Sequence, residues 1–124
     1  MKPALMRHVL WPLITFPELP EQYDLERGVS VELRLLGLIP LWTHTIRVVH
    51  LDREARIAVT EEQGGPVRRW RHHLSAEVLT ADRCRYTDHL EIDAGAVTAM
   101  SRVIARGLYA HRHRRWRALA RVLA

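Results

Sequence analysis

One cysteine, Cys84, occurs in the chain, so no internal disulfide can form and a reducing cytoplasm is the expected compartment. No run reaches the roughly 18 apolar residues that a bilayer span requires, so no transmembrane segment is expected. The short apolar run at the N-terminus is interrupted by Pro12 and Pro17 and has no small-residue cleavage site after it, which argues against a signal peptide. CxxC and HExxH are both missing. The eight histidines are poorly spaced for a shared ion: His72 and His73 are adjacent, and His111 and His113 diverge on a helix. No metal and no cofactor is therefore expected. There is no GxSxG elbow and no phosphate-binding glycine loop. Proline is missing after Pro66, which leaves the C-terminal third free to form a long helix.

What is present is ordinary globular composition in a chain of one domain's length: 48% hydrophobic and 27% charged residues exclude whole-chain disorder. The net charge of +5 is local, because seven arginines lie between Arg102 and Arg121 and the remainder is slightly acidic. Residues 1–27 hold four of the six prolines and read as an irregular, at most briefly helical, lead-in.

From Val29 the period becomes two. Val29, Val31, Leu33 and Leu35 alternate with Ser30, Glu32 and Arg34, as in a half-buried strand. Further strands follow over 41–51, 56–62, 67–79 and 84–92, with turns at Gly37–Pro40, LDRE, Gly64–Pro66 and TADR. In the second strand Trp42, His44, Ile46 and Val48 share a face, although Thr43, Thr45, Val49 and Leu51 are open to the opposite assignment. Consecutive strands with short connections predict an antiparallel meander over 28–93. The period then turns helical over 94–123, with Asp93 as a cap and an apolar stripe of Val97, Met100, Ile104 and Leu108. The expectation is a single α+β domain, an antiparallel sheet wrapped around one long helix that packs that stripe on the sheet.

Gly65-Pro66, Trp70-x-His72 and Thr87-Asp88, in that order and before a long helix, resemble the SRPBCC superfamily, the START-like helix-grip group that includes polyketide cyclases. The resemblance covers residues 29–124. It implies a ligand cavity between sheet and helix. Relatives open with a strand and two short helices, so the short lead-in implies a missing edge. Either the lead-in folds across the gap or a second chain does; the expectation is a homodimer, with Trp11, Ile14 and Phe16 crossing between chains.

Alternation places Trp70, His72, Tyr86 and Asp88 on one face. A His and an Asp facing an apolar interior need partners. They are read first as a structural pair satisfying each other, then as a ligand-orienting pair. Acid–base catalysis comes last, because neither a nucleophile nor an oxyanion site accompanies them. The basic segment around Arg112, Arg114, Arg115, Trp116 and Arg117 spreads around the helix, so a solvated end suited to the helix dipole is expected and a nucleic-acid partner is not. Cys84 reads as an inert small residue.

The leading expectation is a binding domain for a small, mostly apolar molecule such as a lipid, polyketide or isoprenoid. Its walls would be Trp42, Trp70, His72, Leu74, Tyr86, Asp88, Leu90, Met100, Ile104 and Leu108. A cyclase or dehydratase using His72 and Asp88, or a dimeric interaction module without a ligand, are the alternatives.

Overall fold

The alternating segments become strands in the places the pattern sets them. In the computed structural model, residues 3–17 and 28–123 are described. Helix α1 (Pro3–Leu10) and strand β1 (Ile14–Thr15) precede β2 (Val29–Leu35), β3 (Ile39–Asp52), β4 (Ile57–Gly64), β5 (Val67–Thr80) and β6 (Arg83–Asp93). A single 3-10 turn, Gly95–Val97, leads into α2 (Thr98–Leu123). The six strands form one antiparallel sheet in sequence order. The fold is therefore α+β, as expected, with the long helix laid against the sheet. No helix among the described residues is long and apolar enough to cross a membrane.

Bulges bend the sheet, since an extra residue on one strand tightens its local twist. The bulge between Val48 and His50 settles the strand with the ambiguous faces. Trp42, His44, Ile46 and Val48 point to the inner face. Beyond the bulge Leu51 joins them, opposite Ala58, while His50 moves to the outer face opposite Val59.

Over the part described, the lead-in is a short helix followed by a two-residue strand. Ile14 pairs with Leu35, and Thr15 with Arg34, so β1 covers that end of the edge of β2. Phe16, only 8% exposed, joins Val9, Leu10 and Val31 in an apolar cluster. Met6, Ile14, Leu33, Ile46, Leu108 and Trp116 pack around them. The chain thus covers that end of the edge with its own residues, with Ile14 and Phe16 packed in their own chain and Trp11 55% exposed. The remainder of the lead-in, 18–27, lies outside the described residues.

A second cluster joins the far end of the sheet to the start of α2: Val67, Ile92, Ala94 and Ala105, with Trp70, Leu90 and Val97 against them. Asp93 does not cap α2: the turn before it is N-capped by Ala94, and the Asp93 Oδ1 accepts from the Gly95 amide at 2.9 Å. Thr98 adds a cap, accepting from the Ala94 amide at 2.9 Å and donating to the Gly95 carbonyl at 2.8 Å.

The face of α2 differs from the one the apolar stripe predicted. Met100 is 59% and Ile104 63% exposed, so neither packs on the sheet. The buried residues are Ser101, Ala105 and Arg112. Small side chains at the helix start let its backbone approach the sheet closely, and further along Arg112 turns inward because an acidic partner awaits it.

Candidate functional site

Between the two apolar clusters the inner face carries a layer of charge. Cross-strand register puts Trp70, His72, Leu74 and Ala76 of β5 opposite Ile92, Leu90, Asp88 and Tyr86 of β6. The four residues singled out from alternation, Trp70, His72, Tyr86 and Asp88, do share that face. On β4, Thr60 pairs with His72 and Glu62 with Trp70, so both lie on the same side. From above, α2 supplies Tyr109, Arg112 and His113.

Five groups alternate in a line across β3, β4, β5, β6 and α2. His44 Nε2 donates to Glu62 Oε2 at 2.8 Å. The other oxygen, Oε1, accepts from Thr60 Oγ1 at 2.6 Å and lies 3.6 Å from His72 Nδ1. His72 Nε2 donates to Asp88 Oδ1, and His113 Nε2 to Asp88 Oδ2, both at 2.7 Å. Arg112 donates through Nη2 to the Tyr86 hydroxyl at 2.7 Å and stands 3.8 Å from Asp88 Oδ1. The Tyr109 hydroxyl sits 3.4 Å from His72 Nδ1. His72 and Arg112 are each only 2% exposed.

Burial resists every charge in this layer, and pairing prevails over it. Desolvation pushes the Glu62 carboxyl up, but hydrogen bonds from His44, His72 and Thr60 bring it down to about 2. Asp88 is likewise held below the usual carboxylate range, against its desolvation, by His72, Arg112 and His113. Desolvation lowers His72, yet Asp88 and Glu62 on its two nitrogens raise it above the ordinary imidazole value. Tyr109 and Tyr86 are pushed up by burial and stay neutral. His72 and Arg112 thus stand against the Asp88 and Glu62 carboxylates. This matches the general finding that buried charges come in hydrogen-bonded pairs.

The arrangement constrains chemistry. Both nitrogens of His72 are engaged, one by Asp88 and the other by the Glu62 and Tyr109 oxygens. Ring edges and faces pack around them: Tyr109 meets His72 at 5.2 Å and Trp70 at 6.2 Å, and Trp70 meets His44 at 6.2 Å between centroids. Among the described residues no group of three or more His, Cys, Asp and Glu side chains is arranged to hold a metal ion.

Several donors on the same face remain open. Trp42 Nε1, Trp70 Nε1 and Arg112 Nε are buried without an acceptor among the described residues, and His44 Nδ1, the ring nitrogen opposite the one that donates to Glu62, is buried without a partner there. Trp42 lies on the Gly64–Gly65 turn: a Cβ on Gly65 would come within 2.5 Å of its Cδ2, and one on Gly64 within 2.9 Å of His44 Nδ1. Gly65 also holds φ +55°, a conformation that side chains disfavour.

Of the expected wall residues, Trp42, Trp70, His72, Leu74, Tyr86, Asp88 and Leu90 face inward. Leu90 and Leu108 sit against opposite apolar clusters. Met100 and Ile104 are corrected to exposed positions. His44, Thr60, Glu62, Tyr109, Arg112 and His113 were not anticipated. The spacing 109, 112, 113 and 116 is a helical stripe of polar and aromatic residues that could have been found. The arginine-rich segment is solvated at Arg114 and Arg117, but Arg112 belongs to the interior.

Comparison with curated proteins and with solved structures gives no match. A family model described as "Domain of unknown function (DUF8410)" matches residues 10–120, nearly the whole chain, and the chain belongs to that family.

Proposed function

We propose that this domain binds a small ligand between α2 and the inner face of the sheet, and that the ligand joins an apolar body to a hydrogen-bond-accepting head. The observation that carries this reading is the pair of buried indole donors, Trp42 Nε1 and Trp70 Nε1, without an acceptor among the described residues, beside His44 Nδ1, which also has no partner there. Buried donors are nearly always partnered, so two indole N–H groups together favour a ligand that supplies acceptors. The faces of Trp70 and Tyr109 suit the apolar body. The W-x-H and T-D signals shared with helix-grip ligand binders support the same use of the cleft. Binding fits better than catalysis, because His72 has no free nitrogen to act on a substrate. The lone Cys84 is in keeping with a cytoplasmic setting.

Native mass spectrometry of freshly purified protein tests for a copurified molecule. Titration with dodecanoate, followed by tryptophan fluorescence, tests the acceptor requirement. Dodecanoate binds at micromolar levels under this reading, dodecane analogues without a head group bind at least tenfold more weakly, and Trp42→Phe with Trp70→Phe erases that preference. A protein that holds neither copurified ligand nor dodecanoate overturns the reading.

A further inference from the structure

The sheet has two edges, and they are treated differently. At one, β1 pairs with the end of β2. At the other, β6 pairs with β5 alone, so its outer edge has no strand partner among the described residues. It runs for 11 residues, longer than the usual edge strand. A long open edge is a template for another strand unless something guards it.

The usual guard is a row of like charges, which repels a second copy. Strand β6 has the opposite arrangement. Its outer-face residues, in order, are Arg83, Arg85, Thr87, His89, Glu91 and Asp93. Positive charge stands at the beginning and negative charge at the end. Read antiparallel against itself, such a strand is complementary. We infer that β6 is a homodimer interface, in which two copies pair edge to edge about a two-fold axis through Asp88 and continue the sheet from one protomer into its partner.

The register follows from two requirements. A two-fold axis perpendicular to the sheet keeps inner residues on the inner face, so the axis must pass through a residue position and not between two. Among such registers, centring on Asp88 aligns the full length of β6. It sets Arg83 opposite Asp93, Arg85 opposite Glu91 and Thr87 opposite His89, each twice by symmetry. Shifting the axis by one residue either way slides Arg85 opposite His89 or Glu91 opposite Thr87, and leaves strand ends unpaired. Opposed charges across a ladder favour pairing and like charges oppose it.

The side chains are free to do this. Arg85 is 63% and Glu91 58% exposed. Arg85 holds Glu77 of its own chain at 2.9 Å, and Glu91 lies near His73 and His89. Such exposed pairs are weak and readily exchanged. On the inner face the two Asp88 carboxylates would approach the axis. Each is already compensated by His72, His113 and Arg112 of its own chain. Tyr86 would face Leu90, and Cys84 would face Ile92.

Light scattering on the full chain across a concentration series tests the interface. The wild type is expected to have a dimer mass at tens of micromolar, with dissociation promoted by salt. Arg85→Glu alone and Glu91→Arg alone should each weaken dimerisation at least tenfold, because each sets like charges face to face twice. The double swap, R85E with E91R, should restore it. Loss of the Arg85–Glu77 pair within one chain cannot explain that rescue, since the double variant lacks it too. In a Cys84→Ser background, Thr87→Cys with His89→Cys should yield a covalent dimer on mild oxidation, as opposed positions in an antiparallel ladder come within disulfide reach. A monomeric wild type, single variants that dimerise as well as the wild type, or a double swap as weak as the singles would each overturn the inference.

Discussion

The two sides of helix α2 are held by opposite means. Toward α1 it rests on an apolar cluster of Val9, Leu10, Phe16 and Val31, reached by Leu108 and Trp116. Toward β5 and β6 it is held by Arg112 and His113 on Tyr86 and Asp88, and by Tyr109 beside His72. Apolar contact is non-directional and yields by small amounts as methylenes are removed. The charged layer is directional, and each member satisfies another that cannot find water. One side therefore grades its response to substitution. The other fails as a unit.

The largest effect expected is at Asp88, where His72, His113 and Arg112 converge. Asp88→Ala strands buried cations and should cost about 3 to 5 kcal/mol in chemical denaturation, with loss of helix docking. Val31→Ala, as deeply buried but on the apolar side, should cost about 2 kcal/mol, the worth of the side chain's burial. If the two losses were equal, the contrast between the two sides would collapse. Ala105→Leu, which overfills the close approach of α2 to the sheet, should cost a similar amount to Val31→Ala, about 1 to 3 kcal/mol.

Titration separates the sides without mutation. His72 has a raised pKa in the folded chain, so its stabilisation is complete below the ordinary value of 6.5 and is lost as pH rises through the folded-state value. Glu62 has a lowered one, so its stabilisation is present above 4.5 and is lost as pH falls toward about 2. Melting temperature should thus peak between these limits and fall on both flanks. Replacing His72 by Gln should flatten the alkaline flank, while Val31→Ala should lower the whole curve without changing its shape. The smallest effect is at Ile104. Exposed as it is, Ile104→Asp should change stability by no more than about 0.5 kcal/mol. A loss of several kcal/mol would show that this side chain is covered after all.

The strands were legible because a period of two leaves little ambiguity: every inner residue from Trp70 to Ile92 follows from alternation and one turn. The His72–Asp88 pair followed in the same way, being diagonal neighbours across that hairpin. The helix face was misread because two stripes compete on α2. The one with larger apolar residues, Met100 and Ile104, lost to one containing Ser101, Ala105 and Arg112. Steric closeness and a waiting carboxylate chose between them, and neither is visible in a hydrophobicity pattern. Glu62 was missed for a related reason, since an acidic residue at a strand end reads as solvated until His44 and His72 are seen beside it. Strand β1 was not foreseen because a two-residue strand leaves almost no pattern to find.

Trp42 and the Gly64–Gly65 turn carry a consequence for how this sequence can drift. The indole occupies the room that side chains at the turn would need. Exchanging Trp42 for a small residue first would open space, though Gly65 would still face its backbone restriction. Exchanging a glycine first would force the indole out before anything had made way. Change at this corner therefore has a preferred order, and sequences with a bulky residue at the turn should also lack the tryptophan.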